Sequence, residues 1–178
     1  MRTNNSLQRV SIVGCSGAGK TTLGCDLALR LGVEAVDLDE LHWLPGWQTR
    51  TKGDFDALLG EVLTQENWVI SGNYSRVRGQ IWARAQTLIW LDYSLPVVMK
   101  QVVQRTFRRN FHGEPCCNGN QESLRRTFSR ESIVLWALQT HGEKRREYSA
   151  LFSRSEFTHL QVLRFRSPRQ TRDWLSQI

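Results

Sequence analysis

Short apolar segments alternate with amphipathic segments along this chain. The apolar segments are bounded by turn-forming residues and are too short for helices, so they predict buried strands. We expect these strands at 9–13, 33–38, 68–71, 86–91 and 159–165. Between them, apolar residues recur at helical spacing. This spacing predicts helices at 20–31, 53–65, 95–109, 122–140, 143–152 and 168–175, with a loop at 112–121.

The order of these elements predicts an α/β fold in three layers. Strands that alternate with helices form a parallel sheet whose two faces are covered by the helices. No repeat, low-complexity tract or linker interrupts the sequence pattern, which predicts a single domain over residues 1–178. Ligands in such folds bind beyond the carboxyl ends of the strands. Residues that directly follow a predicted strand are therefore the first candidates for chemistry.

The first predicted strand runs into a glycine-rich segment, residues 14–21, and then into a helix. The segment matches G-x-x-x-x-G-K-[ST], in which inward-facing backbone N–H groups and a helix N-terminus hold phosphates. In this motif Lys20 reaches the β and γ phosphates, and the Thr21 hydroxyl coordinates Mg²⁺. The sequence therefore predicts a P-loop that binds ATP and Mg²⁺. The predicted nucleotide-binding residues are Gly14, Ser16, Gly17, Ala18, Gly19, Lys20, Thr21 and Thr22.

Carboxylates follow two other predicted strands. Asp37 and Asp39 end the second strand, and their spacing places both side chains on one side of it. They either hold the Mg²⁺ and orient or deprotonate an acceptor hydroxyl, or they cap a helix. Asp92 ends the fourth strand and either holds Mg²⁺ or starts the next helix.

Composition and charge narrow the class of protein. With 40% hydrophobic and 23% charged residues the chain is of globular type, and it has neither a membrane-spanning run nor an apolar N-terminal signal core. We therefore expect a cytoplasmic protein with no membrane partner. The net charge of +7 is carried by twenty Arg and four Lys. Guanidinium groups suit phosphates, which leaves nucleotides, nucleic acid and other polyphosphates open as partners.

Four features together resemble the adenylate kinase and shikimate kinase branch of P-loop kinases. They are the P-loop, the Asp-x-Asp pair, the turn 72–74 after the third strand, and an Arg-rich segment after the fourth. Segments 38–47, 68–74 and 118–124 are similar to a bacterial subgroup labelled adenylate-kinase-like or "DNA topology modulation" proteins. The resemblance extends over nearly the whole chain.

The resemblance implies a P-loop NTPase fold with a five-stranded parallel sheet in the order 2-3-1-4-5. It also implies an acceptor region at about 39–76 and an Arg-rich lid at about 105–130. By the same resemblance, Arg105 and Arg109 lie where a lid arginine meets ATP, and Pro168 lies in the loop that packs on adenine.

For the acceptor, the resemblance implies that Asp37 and Asp39 are the metal and acceptor carboxylates. Gly72 and Arg76 fall near a Gly and an Arg of the family, of which the Arg grips an acceptor phosphate; Arg78 is a rival for that role. The predicted substrate-binding residues are Asp37, Trp43, Trp47, Gly72, Asn73 and Arg76, and the predicted metal ligands are Thr21 and Asp37.

Two groups of side chains leave alternatives open. Trp43 and Trp47 either form the wall of an acceptor pocket or belong to the core. Six arginines lie between 105 and 130, and we expect one to three of them to contact phosphate while the others are solvated. The six are Arg105, Arg108, Arg109, Arg125, Arg126 and Arg130.

These residues predict an ATP-dependent phosphotransferase that moves the γ-phosphoryl group to a small-molecule acceptor. The predicted catalytic residues are Lys20, Asp39, Arg105 and Arg109. One alternative is a nucleotide-dependent regulatory protein that binds nucleic acid, which the absence of a recognisable nucleic-acid-binding motif disfavours. Another is a slow ATPase that needs no acceptor.

Overall fold

The computed structural model describes residues 7–112, 114, 116–121 and 133–178. The strands are β1 Arg9–Gly14, β2 Ala35–Asp37, β3 Trp43–Leu44, β4 Gln48–Thr49, β5 Trp68–Ser71, β6 Thr87–Leu91 and β7 Gln161–Phe165. The helices are α1 Lys20–Leu31, α2 Leu38–His42, α3 Lys52–Thr64, α4 Ser75–Arg84, α5 Leu95–His112, α6 Ile133–Leu151 and α7 Pro168–Leu175.

Five strands form one parallel sheet in the order β2-β5-β1-β6-β7. Counted within this sheet alone, that order is 2-3-1-4-5, so the predicted topology is confirmed. In the central strand, Ile12 lies between Ser71 of β5 and Ile89 of β6. The two remaining strands, β3 and β4, pair antiparallel as a short hairpin after α2.

Two apolar cores cover the two faces of the sheet, because neighbouring residues of a strand point to opposite faces. In β5, Trp68 and Ile70 face one core, whereas Val69 faces the other. The first core is closed by buried side chains of α3, α4 and α6, and the second by those of α1 and α5. This is the predicted three-layer arrangement.

Most predicted elements lie where the sequence placed them. Helix α1 and strand β5 begin and end at the predicted residues, and α3 differs by one residue at each end. Helix α5 extends to His112, three residues beyond the expected end. Of the predicted helix 122–140, residues 122–132 lie outside the described residues.

One prediction is wrong. Instead of a break between 140 and 143, a continuous helix runs from Ile133 to Leu151. Gly142 lies inside it, and a helical glycine costs only about 1 kcal/mol relative to alanine. Packing of α6 against α5 and the burial of Ala137 and Tyr148 offset that cost.

Four elements were not predicted, namely α2, the hairpin strands β3 and β4, and α4. Helix α2 is too short to show periodicity, and the strands of the hairpin have two residues each. The sequence of α4 does show helical spacing, because its buried residues Val77 and Ile81 are four positions apart. Its many polar residues made this spacing too weak to predict a helix. No helix within the described ranges is both long enough and apolar enough to cross a membrane.

Candidate functional site

The loop between β1 and α1 has the backbone that phosphate binding requires. Gly17 and Gly19 adopt φ angles of 81° and 86°, which only glycine adopts readily. A Cβ atom on Gly17 would lie 2.1 Å from Cγ2 of Val102, so α5 packs directly on the loop. The loop ends at the N-terminus of α1, where free backbone N–H groups and the helix dipole attract anions.

Lys20 is the first residue of α1, and its Nζ donates to the backbone oxygen of Cys15 at 3.2 Å. Burial lowers the pKa of this ammonium group, and the neighbouring Arg105 lowers it further. Asp39 and Asp37 act in the opposite direction. Lys20 therefore lies between the loop, the two carboxylates and Arg105.

Thr21 and Asp37 lie side by side. The Thr21 hydroxyl donates to Oδ2 of Asp37, and Oδ1 of Asp37 accepts from the backbone N–H of Asp39 at 2.9 Å. Asp37 thus caps α2, which is one of its two expected roles, and its role as a metal ligand stays a prediction. Burial raises the pKa of the Asp37 carboxyl, the nearby Asp39 raises it further, and the bond from Thr21 opposes the rise.

These two oxygen donors fit Mg²⁺, which usually keeps several waters and binds through one or two carboxylates plus substrate phosphates. Across the ranges that the structure describes, no group of three or more His, Cys, Asp or Glu could hold a metal ion. A resident metal site made by protein ligands alone is therefore not seen there, and a metal carried by a nucleotide suits the donor set.

Asp39 lies two residues beyond Asp37, in the first turn of α2. Its Oδ1 accepts a hydrogen bond of 2.8 Å from the hydroxyl of Tyr74. Burial and the adjacent Asp39 raise the pKa of Tyr74, so the phenol stays a hydrogen-bond donor over the physiological pH range. The bond fixes the orientation of the Asp39 carboxylate.

One cavity of about 1040 Å³ joins all these groups. That volume slightly exceeds the roughly 300–1,000 Å³ typical of ligand pockets. The lining comes from the phosphate loop, α2, the hairpin, α5 and the segment 116–119. Its main polar and aromatic residues are Ser16, Lys20, Thr21, Thr22, Asp37, Asp39, Glu40, Trp43, Trp47, Gln101, Gln104, Arg105, Arg108, Arg109, Glu114 and Asn118.

Helix α5 brings three of the six candidate arginines to the cavity, namely Arg105, Arg108 and Arg109. Arg105 is close enough to Lys20 to lower its pKa. Arg108 lies 3.9 Å from the carboxylate of Glu114, in an exposed pair. The other three, Arg125, Arg126 and Arg130, lie outside the described residues.

Trp43 and Trp47 flank the turn of the hairpin, with ring centroids 5.5 Å apart and planes at 80°. Both side chains are half-buried and line the cavity. The pair therefore lies at the cavity and outside the two apolar cores, and its contact with an acceptor stays a prediction. Trp47 adopts a φ of 59°, which is uncommon for a residue other than glycine.

Sequence reasoning missed two asparagines that hold this part of the lining in place. Nδ2 of Asn118 donates to the backbone oxygens of Glu40 and Trp43 at 2.7 and 2.6 Å. The side chain of Asn120 accepts from the backbone N–H of Trp47 and donates to the oxygen of Leu44. In the sequence, the Asn-Gly-Asn triplet is typical of a turn and lies in segment 118–124 of the family resemblance, but neither feature predicted these contacts.

Gly72 and Asn73 support the site without lining the cavity. A Cβ atom on Gly72 would lie 2.7 Å from that of Leu38, so this glycine allows α2 to pack on β5. Asn73 accepts from the backbone N–H of Gly14 at 3.2 Å and donates to its oxygen at 2.5 Å. The hydroxyl of Tyr148 also donates to Asn73, which thereby joins the phosphate loop to α6.

The structure places both candidate phosphate-gripping arginines away from the cavity lining. Nη1 of Arg76 donates to both carboxylate oxygens of Asp56, at 2.7 and 2.8 Å. Arg78 pairs with Glu147 at 2.6 Å, and its guanidinium lies over the ring of Trp82.

Four other candidate residues do not line the cavity. The buried carboxylate of Asp92 forms salt bridges with Arg164 at 2.6 Å and with Arg145 at 3.1 Å. These ion pairs give Asp92 a structural role. Pro168 opens α7 and does not line the cavity, and its assignment to adenine stays a prediction. Gly14 and Ala18 shape the loop from behind the lining.

Comparison with known proteins shows one similar sequence and several similar folds. No protein-family model matches this sequence. The uncharacterized protein YqaC of Bacillus subtilis (strain 168) is 26% identical over 123 residues, which cover 68% of each chain.

Three solved structures resemble the chain over most of its length. Shikimate kinase from Bacteroides thetaiotaomicron aligns with a TM-score of 0.54 and 21% identity, covering 96% of this chain and 95% of that one. Shikimate kinase from Acinetobacter baumannii, in complex with shikimate, aligns with a TM-score of 0.54 and 16% identity, covering 97% of this chain and 91% of that one. A gluconokinase from Sinorhizobium meliloti 1021 aligns with a TM-score of 0.50 and 18% identity, covering 96% of this chain and 93% of that one. The chain therefore has the α/β fold of the shikimate-kinase type of P-loop NTPase. Its placement in the "DNA topology modulation" subgroup stays a prediction.

Proposed function

We propose that this protein is an ATP-dependent phosphotransferase that moves the γ-phosphoryl group to a hydroxyl of a small acceptor. One observation carries the proposal. The same cavity is lined by a phosphate loop with Lys20, by the carboxylate of Asp39, and by arginines of α5. These are the parts that phosphoryl transfer needs, because it relies on positioning and on stabilising charge.

The donor half of the site consists of the loop and α1. Backbone N–H groups of the loop hold the phosphates, and Lys20 contacts the β and γ oxygens. Thr21 and Asp37 would hold Mg²⁺, which when bound neutralises charge on the phosphate oxygens. The fold of the shikimate kinases and the gluconokinase is consistent with this assignment.

In the acceptor half, Asp39 orients the attacking hydroxyl and takes its proton. Tyr74 holds Oδ1 of this carboxylate, so we assign Oδ2 to the acceptor. Arg105 and Arg109 stabilise the negative charge on the transferred group. Exclusion of water from the loaded cavity would suppress hydrolysis of ATP.

The test is the rate of ADP release from Mg-ATP, measured with and without hydroxylated acceptors, for the wild type and Lys20→Ala. We expect an acceptor-dependent rate that falls at least ~10²-fold in Lys20→Ala, because the variant loses a charge aimed at the phosphates. Lys100→Ala is the matched control, since Lys100 is exposed on α5 and lies outside the cavity lining. An equal loss in Lys100→Ala, or no effect of Lys20→Ala, would contradict the assignment.

A further inference from the structure

Two adjacent cysteines belong to the part of the cavity lining that α2, the hairpin and the segment 116–119 form, which we call the acceptor wall. Cys116 and Cys117, which we call the dithiol, both carry thiols. Cys116 is buried, whereas Cys117 is half-buried. A hydrogen bond with Cys116 raises the pKa of the Cys117 thiol, so the two side chains are in contact. The transfer that we propose uses neither of them.

The backbone of the dithiol is held by the turn that follows it. The N–H of Cys116 donates to the backbone oxygen of Asn120 at 2.8 Å, and Nδ2 of Asn120 donates to the oxygen of Cys117 at 2.6 Å. Between them, Asn118 anchors the same turn to α2 and β3. A ligand that needs both sulfur atoms therefore finds them already positioned, which lowers the entropic cost of binding.

The surroundings of Cys117 oppose its ionisation. Besides the hydrogen bond with Cys116, burial raises the pKa of this thiol, and the carboxylates of Asp39 and Asp37 raise it further. A thiolate is the form of cysteine that attacks disulfides and alkylating agents and that binds metal ions. Cys117 is therefore protonated near neutral pH and poorly suited to those reactions.

The spacing of the two cysteines opposes a disulfide between them. Consecutive Cα atoms are about 3.80 Å apart across a trans peptide, whereas the Cα atoms of a disulfide are usually about 4.4–6.8 Å apart. A direct bond between the sulfur atoms would therefore strain the peptide that joins the two residues. A single atom inserted between the sulfur atoms relieves this strain, because it enlarges the ring.

We propose that the dithiol is a binding site for trivalent arsenicals, and that an occupant there covers the acceptor wall. An arsenic(III) centre is pyramidal and bonds two neighbouring sulfur atoms. When an organoarsenous acid reacts, two As–O bonds break, two As–S bonds form, and each hydroxide leaves with one thiol proton as water. Arsenic and sulfur keep their oxidation states, so the reaction needs neither an oxidant nor prior ionisation of the thiols.

The position of the dithiol predicts which half of the site an arsenical affects. Asp39, the carboxylate to which we assign the acceptor hydroxyl, is near enough to Cys117 to raise its pKa. The turn that carries the dithiol is bonded to Glu40 and Trp43, which belong to the acceptor wall. We therefore expect an arsenical to exclude the acceptor and to leave the nucleotide bound. The loss of turnover rests on the proposed function, whereas the binding of the arsenical does not.

The probe is phenylarsine oxide, which is an organoarsenous acid in its hydrated form. Equilibrium titration of the full chain is followed by intact-mass spectrometry, in which the added mass separates the loss of two waters from the loss of one. We expect one arsenical per chain, bound with the loss of two waters. Cys117→Ser and Cys116→Ser should each weaken binding by about a hundredfold, because the remaining thiol binds alone. Cys25→Ser, at an exposed cysteine of α1, is the matched control and should bind like the wild type.

Two results would overturn the site. One is binding that survives Cys117→Ser, which is at the less buried position and decides the matter if Cys116→Ser does not fold. The other is binding that Cys25→Ser removes. Attachment with the loss of a single water would likewise show one reacting thiol and contradict the dithiol.

A second measurement tests the location on the acceptor wall. The affinity for a non-hydrolysable ATP analogue, measured by calorimetry with Mg²⁺, should be the same with and without the arsenical. Acceptor-stimulated ADP release should fall, and 2,3-dimercaptopropanol should restore it by removing the arsenic. Loss of affinity for the ATP analogue would overturn the location. Selective binding to the dithiol in a protein that has no acceptor-dependent turnover would contradict the phosphotransferase and support the arsenical site.

Discussion

Asp37 shows how much one side chain does in this site. It caps α2, accepts from the Thr21 hydroxyl and lies beside Asp39, and its burial raises its pKa. The sequence predicted both a capping and a metal role for Asp37 and could not choose between them, because each depends on what lies across the strand end. The phosphate loop was predictable residue by residue, because its spacing is fixed by local backbone geometry. Asn118 and Asn120 were not, because their partners lie more than 70 positions away.

The raised pKa of Asp37 predicts a dependence of stability on pH. A carboxyl whose pKa is higher in the folded than in the unfolded state favours folding while it is protonated. Its contribution is lost as the pH rises from its ordinary value of 3.8 through the raised value. We therefore expect the stability of Asp37→Asn relative to the wild type to increase between pH 4 and pH 7, in urea denaturation without nucleotide. A difference that is constant over this range, or that falls, would contradict the burial of an ionised group at Asp37.

At the scale of elements, the phosphate loop is fixed by its contact with α5. The buried Val102 occupies the space that a side chain on Gly17 would need. Elements with long periodic patterns were predictable, such as α1 and α3. Helix α2 and the hairpin were not, since their few residues are held by packing against Gly72 and by the asparagines of 116–121.

Gly17→Ala should weaken nucleotide binding. The new methyl group would clash with Val102 and would require a positive φ, a strain of about 1–3 kcal/mol at the loop in addition to the clash. We expect ATP affinity, measured by calorimetry, to fall by at least about tenfold. Gly79→Ala is the control, because Gly79 is an exposed helical glycine with open space around its Cα. It should leave ATP affinity unchanged and stabilise the protein by up to about 1 kcal/mol. Unchanged affinity in Gly17→Ala would show that the loop does not need its contact with α5.

The anchoring of the acceptor wall gives a second prediction at this scale. Asn118→Ala removes two hydrogen bonds to the backbone of α2 and β3. Because these bonds position the wall and not the phosphate loop, we expect the KM for the acceptor to rise several-fold while the KM for ATP changes little. Gln121→Ala is the control, since the contact of Gln121 with Trp47 uses its backbone oxygen. Equal changes in both KM values would indicate a general loss of structure instead.

At the scale of the whole molecule, the two cores and the parallel sheet follow from the alternation of apolar strands and amphipathic helices. The net charge of +7 was ambiguous in the sequence, because charge alone does not say where it lies. In the structure, Arg76, Arg78 and Arg164 are paired with carboxylates, whereas arginines of α5 line the cavity. This distribution suits a bound polyphosphate and supports the phosphotransferase that we propose. The sequence could not predict which arginines are paired, since their carboxylate partners come from distant elements.

The most direct test of the central claim is to identify where the γ-phosphoryl group goes. The wild-type protein is incubated with Mg-ATP and an acceptor that stimulates ADP release, and the products are quantified by phosphorus NMR and mass spectrometry. We predict a phosphate ester of the acceptor in an amount equal to the ADP, and neither product with Lys20→Ala. Inorganic phosphate equal to the ADP, formed at the same rate with and without acceptor, would contradict the phosphotransferase and identify the protein as an ATPase.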